Sequence, residues 1–257
     1  MAFLKTEQDG HIAIITIDRP PANALSSDLL KELDDKLASL RTNDDVRVIV
    51  LKGEGRFFCA GADVKEFTRI ESKKEALFLA REGQQILDKI EQYPKPVIAS
   101  IHGVALGGGL ELAMSCHIRI VSETAKLGLP ETSLGIIPGF AGTQRLPRLV
   151  GPNKALEMIL TAEPITGVEA VQCGLANQAY PEEELFTKTF ELARKIAEKS
   201  PPTVSAVLHL INNLQSNSFT ERVEKEAELF SDVFTRDDAK EGIKAFLEKR
   251  KPNFTGK

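Results

Sequence analysis

The sequence predicts an α/β protein whose sheet is built mainly from parallel strands. Three short runs, at residues 11–17, 46–51 and 96–101, are almost continuously apolar. Such runs are typical of strands that are buried on both faces of a sheet. Amphipathic helical patterns lie between these runs, and alternating strands and helices favour parallel pairing. After residue 182 the pattern is helical throughout, which predicts a second region with a different architecture.

Local signals set the expected ends of the elements in the first half of the chain. Two prolines in segment 18–21 end the first strand, and Ser26 or Ser27 caps a helix with a leucine stripe. A second, long helix is expected to end at segment 93–96, which again contains two prolines. The elements expected here are strands at 11–17, 46–51, 96–101 and 117–121, and helices starting at 26 or 27, at 73 and near Gly107.

The second half begins with residues 125–139, which are punctuated by Gly and Pro and are expected to be largely loop. The segment Ser200-Pro201-Pro202 marks a change of pattern. We therefore divide the chain into a core at 1–198 and a C-terminal helical region at 199–257. The remaining elements expected are helices at 142–162, 166–173, 183–199, 203–214, 219–234 and 237–249, and a short strand at 175–180.

Composition limits the class of protein. The chain has 257 residues, 42% of them hydrophobic, and a net charge of -4 with no Trp. This balance argues against nucleic acid as the main partner, and no apolar run approaches the ~20 residues that span a bilayer. Three widely spaced cysteines fit reduced thiols better than disulfides or a zinc site. The expected location is the cytoplasm.

The glycine run 107–109 and the helix after it form the first candidate site. The first amides of a helix have no intrahelical partner and can bind an anion or a developing oxyanion. Gly108 and Glu111 are three residues apart and therefore share one helix face. Apolar neighbours predict that Glu111 is buried and that its pKa is raised. A packing role for the glycines, or a structural ion pair for Glu111, remains open.

Two further segments carry candidate groups. Asp63 with Glu66 has the spacing of a capping box, so a capping role competes with a functional one for Asp63. Ala62, beside it, offers another amide at a helix start. Glu131 is a charged residue in the apolar loop 125–139, which makes it either a site residue or a solvated surface glutamate.

Four blocks of sequence together resemble the crotonase superfamily, and most closely its short-chain enoyl-CoA hydratases. The likeness extends from about Ile12 to Phe254. The glutamates at 111 and 131 are twenty residues apart, as in those hydratases. The blocks are 17–20 (IDRP) with 23–25 (NAL), 58–65 (FCAGADVK), 107–116 (GGGLELAMSC), and 130–139 (PETSLGIIPG) with 142–146 (GTQRL).

The resemblance implies a spiral of β-β-α units with a C-terminal helical region that assembles trimers or hexamers. It implies an acyl-CoA thioester substrate and no cofactor, since coenzyme A is part of the substrate. Glu111 and Glu131 match the acid/base pair, and the amides of Ala62 and Gly108 match the oxyanion hole. Lys249 matches a residue that reaches a neighbour's CoA phosphates. The segment matching the CoA site contains Ala60, Ala62, Asp63, Val64 and Lys65.

The function expected from this resemblance is enoyl-CoA hydration, the addition of water across a 2,3 double bond. The alternatives are a Δ3-Δ2-enoyl-CoA isomerase, another acyl-CoA enzyme of the superfamily, or a non-catalytic or RNA-binding relative. Two residues depart from the family pattern: His117 replaces a common Asp, and Ala141 replaces a frequent Gly. His102 is expected to be structural, and Arg145 to anchor its loop.

Overall fold

The computed structural model describes residues 2–214 and 218–257, so Met1 and residues 215–217, which fall within the two expected domains, lie outside the described residues. It contains a six-stranded sheet in the order β1-β2-β3-β4-β6-β9 and a three-stranded sheet in the order β5-β7-β8. The strands are β1 Leu4–Asp9, β2 Ile12–Ile17, β3 Val48–Gly53, β4 Val97–Ile101, β5 Val104–Leu106, β6 Ile118–Ser122, β7 Lys126–Gly128, β8 Ile165–Thr166 and β9 Gln178–Tyr180.

Helices cover both faces of the large sheet and form the C-terminal region. A short 3₁₀ turn, Pro130–Leu134, follows β7. The α-helices are α1 Ser27–Arg41, α2 Val64–Phe67, α3 Lys73–Glu91, α4 Gly108–Ser115, α5 Gly142–Val150, α6 Pro152–Thr161, α7 Gly167–Gln172, α8 Glu182–Ala197, α9 Pro201–Asn212, α10 Phe219–Phe234 and α11 Asp237–Leu247.

The expected α/β architecture is confirmed, and the pairing in the large sheet is parallel except at one edge. There β1 pairs antiparallel with β2. The sequence pattern did not predict β1, because five of its six residues are exposed and it lacks an apolar run. Strand β2 is buried at every position. One of its faces packs into the main core, and the other meets α8 through residues such as Ile12 and Ile14.

The chain winds as a spiral in which a strand of the large sheet is followed by a short extended segment and then by a helix. The order β4, β5, α4 is one such unit. In earlier turns the extended segments form single bridges, between Leu25 and Ala62 and between Cys59 and Ala105. Because these bridges stack beside β5, the helix starts of successive turns meet at one place. The candidate site lies there.

Three of the differences between the observed elements and the sequence prediction lie between residues 125 and 214. The helix expected at 142–162 is two helices, because Pro152 begins α6 and has no N–H to continue α5. Helix α9 begins at Pro201 rather than 203, since proline is well tolerated in the first helical turn. The expected loop at 125–139 contains β7 and the 3₁₀ turn.

The C-terminal helices bury few side chains. Helices α9 and α10 contain no fully buried residue among those described, and α11 contains Asp238 and Ala245. In the described ranges, no helix is long and apolar enough to cross a bilayer. Large apolar residues exposed in this region are Val207, Ile211, Leu214, Phe219, Val223, Phe230, Phe234, Ile243, Phe246 and Leu247.

Candidate active site

A cavity of about 990 Å³ lies between helices α2 and α3, the glycine run and the segment 130–144. Most of its lining is apolar, and two carboxylates face into it, those of Glu111 and Glu131. The predicted site residues that line this cavity are Ala60, Ala62, Val64, Gly108, Glu111 and Glu131.

Glu111 lies in the first turn of α4, and only 1% of it is exposed. Its Oε1 accepts hydrogen bonds from the backbone amides of Phe140 (2.8 Å) and Gly142 (2.7 Å). Burial, with a smaller contribution from the nearby charge of Glu131, raises the pKa of this carboxyl to about 7, while the two amides oppose the shift. Glu111 does not form the structural ion pair that the sequence left open with any of the described residues. Since the amides occupy Oε1, Oε2 is the oxygen left for proton exchange in the cavity.

Glu131 enters the cavity from the 3₁₀ turn. It is half-buried, which rules out the solvated surface position that the sequence left open. Burial raises the pKa of the Glu131 carboxyl. Its Oε2 is buried and has no hydrogen-bond partner among the described residues. A buried carboxylate oxygen without a protein partner is placed to bind a water or a substrate group.

Gly107 explains how Glu131 approaches the glycine run so closely. The residue has a φ of +51° and precedes α4. A Cβ atom at this position would lie 2.9 Å from Oε1 of Glu131. Both the backbone conformation and the space therefore favour glycine.

Ala62 and Gly108 lie close together in the lining of the cavity that also contains the two carboxylates. A Cβ built on Gly108 would lie 3.3 Å from the amide nitrogen of Ala62. The bridge to Leu25 uses the Gly61 carbonyl and the Asp63 amide, at 2.8 Å each, and so leaves the Ala62 amide free. Within residues 2–214 and 218–257, neither the Ala62 nor the Gly108 amide donates a hydrogen bond outside regular elements. Two neighbouring amides without partners among the described residues are suited to bind a developing oxyanion.

Asp63 caps α2, but the predicted capping box is wrong. The Asp63 side chain accepts a hydrogen bond from the Lys65 amide and forms an ion pair with Arg19 at 2.5 Å. The same hydrogen bond from Arg19 lowers the pKa of Asp63. Glu66 does not return to the Asp63 amide. Its carboxylate instead accepts hydrogen bonds from the amide and hydroxyl of Ser27 at the start of α1.

Three predicted substrate-binding residues are not part of the cavity lining. Asp63 and Lys65 lie beside Ala62 and Val64 at the start of α2. Lys249 is exposed, with a φ of +55°, just after the end of α11. No cluster of three His, Cys, Asp or Glu side chains in the described part of the chain could hold a metal ion.

The amides of Phe140 and Gly142 are the functional groups that sequence reasoning missed. Gly142 lies within one of the family blocks, but an amide carries no side-chain signal. Only the long-range hydrogen bonds to Glu111 of α4 identify these two amides as functional groups.

Comparisons with known proteins identify the family and the fold. A family model described as enoyl-CoA hydratase/isomerase matches residues 7–257. A probable enoyl-CoA hydratase from Bacillus subtilis is 55% identical, with 96% of each chain covered. A short-chain-enoyl-CoA hydratase from Clostridium acetobutylicum is 42% identical, covering 95% of this chain and 94% of that one. The crystal structure of an enoyl-CoA hydratase from Bacillus anthracis superposes with a TM-score of 0.95 at 38% identity, covering 99% and 100% of the two chains.

These matches span almost the whole chain, and both the resemblance and the spiral fold expected from the sequence are confirmed. The chain belongs to the enoyl-CoA hydratase/isomerase family and has the crotonase fold.

Proposed function

We propose that this chain is an enoyl-CoA hydratase that adds water across the 2,3 double bond of a 2-enoyl-CoA thioester. The product is a 3-hydroxyacyl-CoA, as in fatty-acid β-oxidation. One observation carries the proposal: Glu111 and Glu131 line the same cavity as the unpartnered amides of Ala62 and Gly108. An acyl-CoA substrate and the hydratase class also follow from the family.

The reaction needs both kinds of group. Water is a poor nucleophile, so an ionised carboxylate must accept one of its protons as the oxygen adds to C3. The electron pair of the double bond then moves onto the thioester oxygen, where the two amides stabilise the charge. In comparable sites one such donor contributes about 3 kcal/mol. When the enolate collapses, C2 takes a proton from an acid.

We assign the base to Glu131 and the acid to Glu111. The unpartnered Oε2 of Glu131 is free to accept a proton from water. Glu111 has a pKa of about 7 and so retains a proton near neutrality in a large fraction of molecules. After one turnover the proton gained by Glu131 must return to Glu111. Because the two carboxyls interact, the pair titrates as a unit.

The proposed steps use only the two carboxylates and the two amides. Water addition is redox-neutral, so the steps require no electron carrier. Coenzyme A enters only as part of the substrate. The cytoplasmic location expected from the sequence stays a prediction.

The direct test is crotonyl-CoA hydration by the wild-type protein, with isomerisation of a 3-enoyl-CoA measured in parallel. We expect hydration to be much faster, since isomerisation requires only one carboxylate and this site has two. Isomerisation that far exceeds hydration would replace the hydratase assignment with the isomerase alternative. A panel of chain lengths in the same assay gives the preferred acyl group.

We further propose that residues 199–257 assemble a homotrimer or a hexamer of two trimers. The support is the number of large apolar side chains that this region exposes, such as Phe219 and Phe246, at 74% and 83%. Light scattering should give a trimer or hexamer mass. A folded and fully active monomer at micromolar concentration would contradict the proposal.

In such an assembly Lys249 binds the CoA phosphates of a neighbouring subunit. Its exposed position, away from the cavity of its own chain, supports this role. Lys249→Ala should then raise KM more than it lowers kcat, with Lys251→Ala as a nearby exposed control. An unchanged KM would remove Lys249 from the site.

A further inference from the structure

We propose that Arg145 is a positioning residue for the hydration reaction, which holds the backbone that binds Glu111 and thereby sets the proton affinity of that carboxyl. The inference rests on the proposed function of Glu111. It goes beyond anchoring a loop, because it assigns to Arg145 a measurable effect on acid catalysis.

Phe140 connects Arg145 to Glu111 through its backbone. The Phe140 amide donates to Oε1 of Glu111 at 2.8 Å. The Phe140 carbonyl accepts from Nη1 of Arg145, also at 2.8 Å. Arg145 is absent from the cavity lining. It therefore acts on Glu111 only through this backbone and through its charge.

Arg145 is itself fixed, so it can hold Phe140 in place. Its side chain is 4% exposed. Nη2 binds Asp88 at 2.5 Å, and Nε binds Glu91 at 2.9 Å, both on α3. A guanidinium that uses its whole fork in this way has one orientation, which a lysine ammonium cannot reproduce.

Helix α3 contacts the segment 139–142 at two further points. Gln84 donates to the Gly139 carbonyl at 2.9 Å. The Phe140 ring lies against Gly83, where an added Cβ would come within 2.2 Å of the ring. Helix α3, which lines the substrate cavity, is thus connected to the segment whose amides bind Oε1 of Glu111. The connection is made by Arg145, Gln84 and Gly83.

The charges around Glu111 determine the direction of the effect. Burial raises its pKa most, the facing Glu131 carboxylate adds to this, and Arg145 lowers it. Asp88 and Glu91 offset part of the Arg145 charge. At the other end of α4, the buried guanidinium of Arg119 binds the Cys116 carbonyl. Removal of Arg145 leaves burial and Glu131 less opposed, so the Glu111 pKa must rise.

The test compares Arg145→Gln and Arg145→Lys with Arg148→Gln. Arg148 is the matched control, since it lies on the same helix, pairs with the same Glu91 at 3.1 Å and is 38% exposed. We expect Arg145→Gln to lower kcat for crotonyl-CoA about tenfold, with KM within twofold, and to move the alkaline limb of the kcat profile upward by about half a pH unit or more. Arg145→Lys keeps the charge and should lower kcat less, without moving the limb. Arg148→Gln should leave both unchanged.

A double-variant cycle separates positioning from general destabilisation. In a Glu111→Gln background, Arg145→Gln should lower the residual rate less than twofold, because the group it acts through is absent. A full tenfold loss in that background, or an unmoved alkaline limb, would overturn the inference. If Arg145→Gln does not fold, Arg145→Lys decides the matter through its kcat and its cycle with Glu111→Gln. If Glu111→Gln itself retains the wild-type rate, the proposed function fails instead.

Discussion

Glu111 and Glu131 face one cavity from two walls. The walls differ in how many hydrogen bonds they donate to each carboxylate. The Glu111 wall consists of α4 and residues 139–142, where two amides hold Oε1. The Glu131 wall consists of residues 130–137, and there Oε2 has no partner among the described residues. In the first wall all of α4 is buried, together with Phe140 and Gly142, whereas Leu134 and Ile137 of the second are 60% and 70% exposed.

Under the proposed mechanism, this difference suits two like groups to different tasks. A carboxyl that is buried and fixed by backbone amides keeps its geometry while it carries a proton. A carboxyl with one oxygen unsatisfied can bind and deprotonate a water. The contrast predicts that the two walls respond differently to substitution, and four experiments follow from it.

The largest effect is expected when either carboxylate is replaced by an amide. Glu111→Gln and Glu131→Gln keep the side-chain shape but cannot exchange the proton, so each should slow crotonyl-CoA hydration at least ~10²-fold. Binding of CoA esters should change little. If both groups act on one water, the double variant should cost far less than the product of the single effects. A Glu131→Gln protein that hydrates at the wild-type rate would remove the proposed base.

The core of this fold could be predicted from sequence because its signals are local. The continuous apolar run of β2 and the leucine stripe of α1 each identify their own element. The glycine run similarly predicted the amide at the start of α4 and the buried Glu111. Strand β1 could not be predicted, since its pairing on one edge requires no apolar pattern.

The walls of the site were less predictable because they depend on distant contacts. Phe140 is 29 residues from Glu111, and no side chain marks its amide as a donor. Glu131 resembled a surface residue because the local sequence does not show that Gly107 packs against it. The spacing of Asp63 and Glu66 suggested a capping box, yet the Glu66 carboxylate accepts hydrogen bonds from the amide and hydroxyl of Ser27 instead. In each case tertiary contact decided between local alternatives.

The second experiment measures the energetic cost of burying Glu111. Its pKa rises from 4.5 to about 7 in the folded protein, so the folded state binds the proton more tightly than the unfolded chain. The stabilisation is complete below pH 4.5, is lost as the pH rises to about 7 and is constant above that. Over this whole pH range the free energy of unfolding falls by roughly 3 kcal/mol.

Glu111→Gln cannot ionise and should therefore gain stability relative to wild type between pH 5 and pH 8. We expect a relative gain of about 2 kcal/mol, or several degrees in Tm, at equal protein concentration. Glu163→Gln, at an exposed glutamate, serves as the control and should show no such gain. If the Tm difference between Glu111→Gln and wild type is the same at pH 5 and at pH 8, Glu111 does not hold a proton in this range.

The third experiment changes the Glu131 wall through Gly107. Gly107→Ala places a methyl group 2.9 Å from Oε1 of Glu131 and should displace that carboxylate. Gly151→Ala is the matched control, because Gly151 is also the N-cap of a helix with a positive φ, of +78°, and a ψ outside the left-handed helical region, but has nothing within 4 Å of an added Cβ and lies outside the cavity lining. Both variants carry the backbone strain, and only Gly107→Ala should lower kcat, by about tenfold. Equal kcat losses in both variants would indicate strain rather than displacement of Glu131.

The smallest effect is expected in the Glu111 wall at Ala141, where this chain has a left-handed residue other than glycine, with a φ of +70°. This conformation costs an L-residue roughly 1–2 kcal/mol, while glycine adds about 0.4–1 kcal/mol of entropy to the unfolded chain. Ala141→Gly should thus stabilise the protein by about 0.5–1 kcal/mol, seen as a Tm higher by about 1–3 °C. Because the flanking amides of Phe140 and Gly142 already fix the segment 139–142 on Glu111, kcat should stay within twofold. If kcat instead falls several-fold while Tm rises, the strain at Ala141 itself keeps the segment 139–142 on Glu111, and the hydrogen bonds alone do not fix this wall.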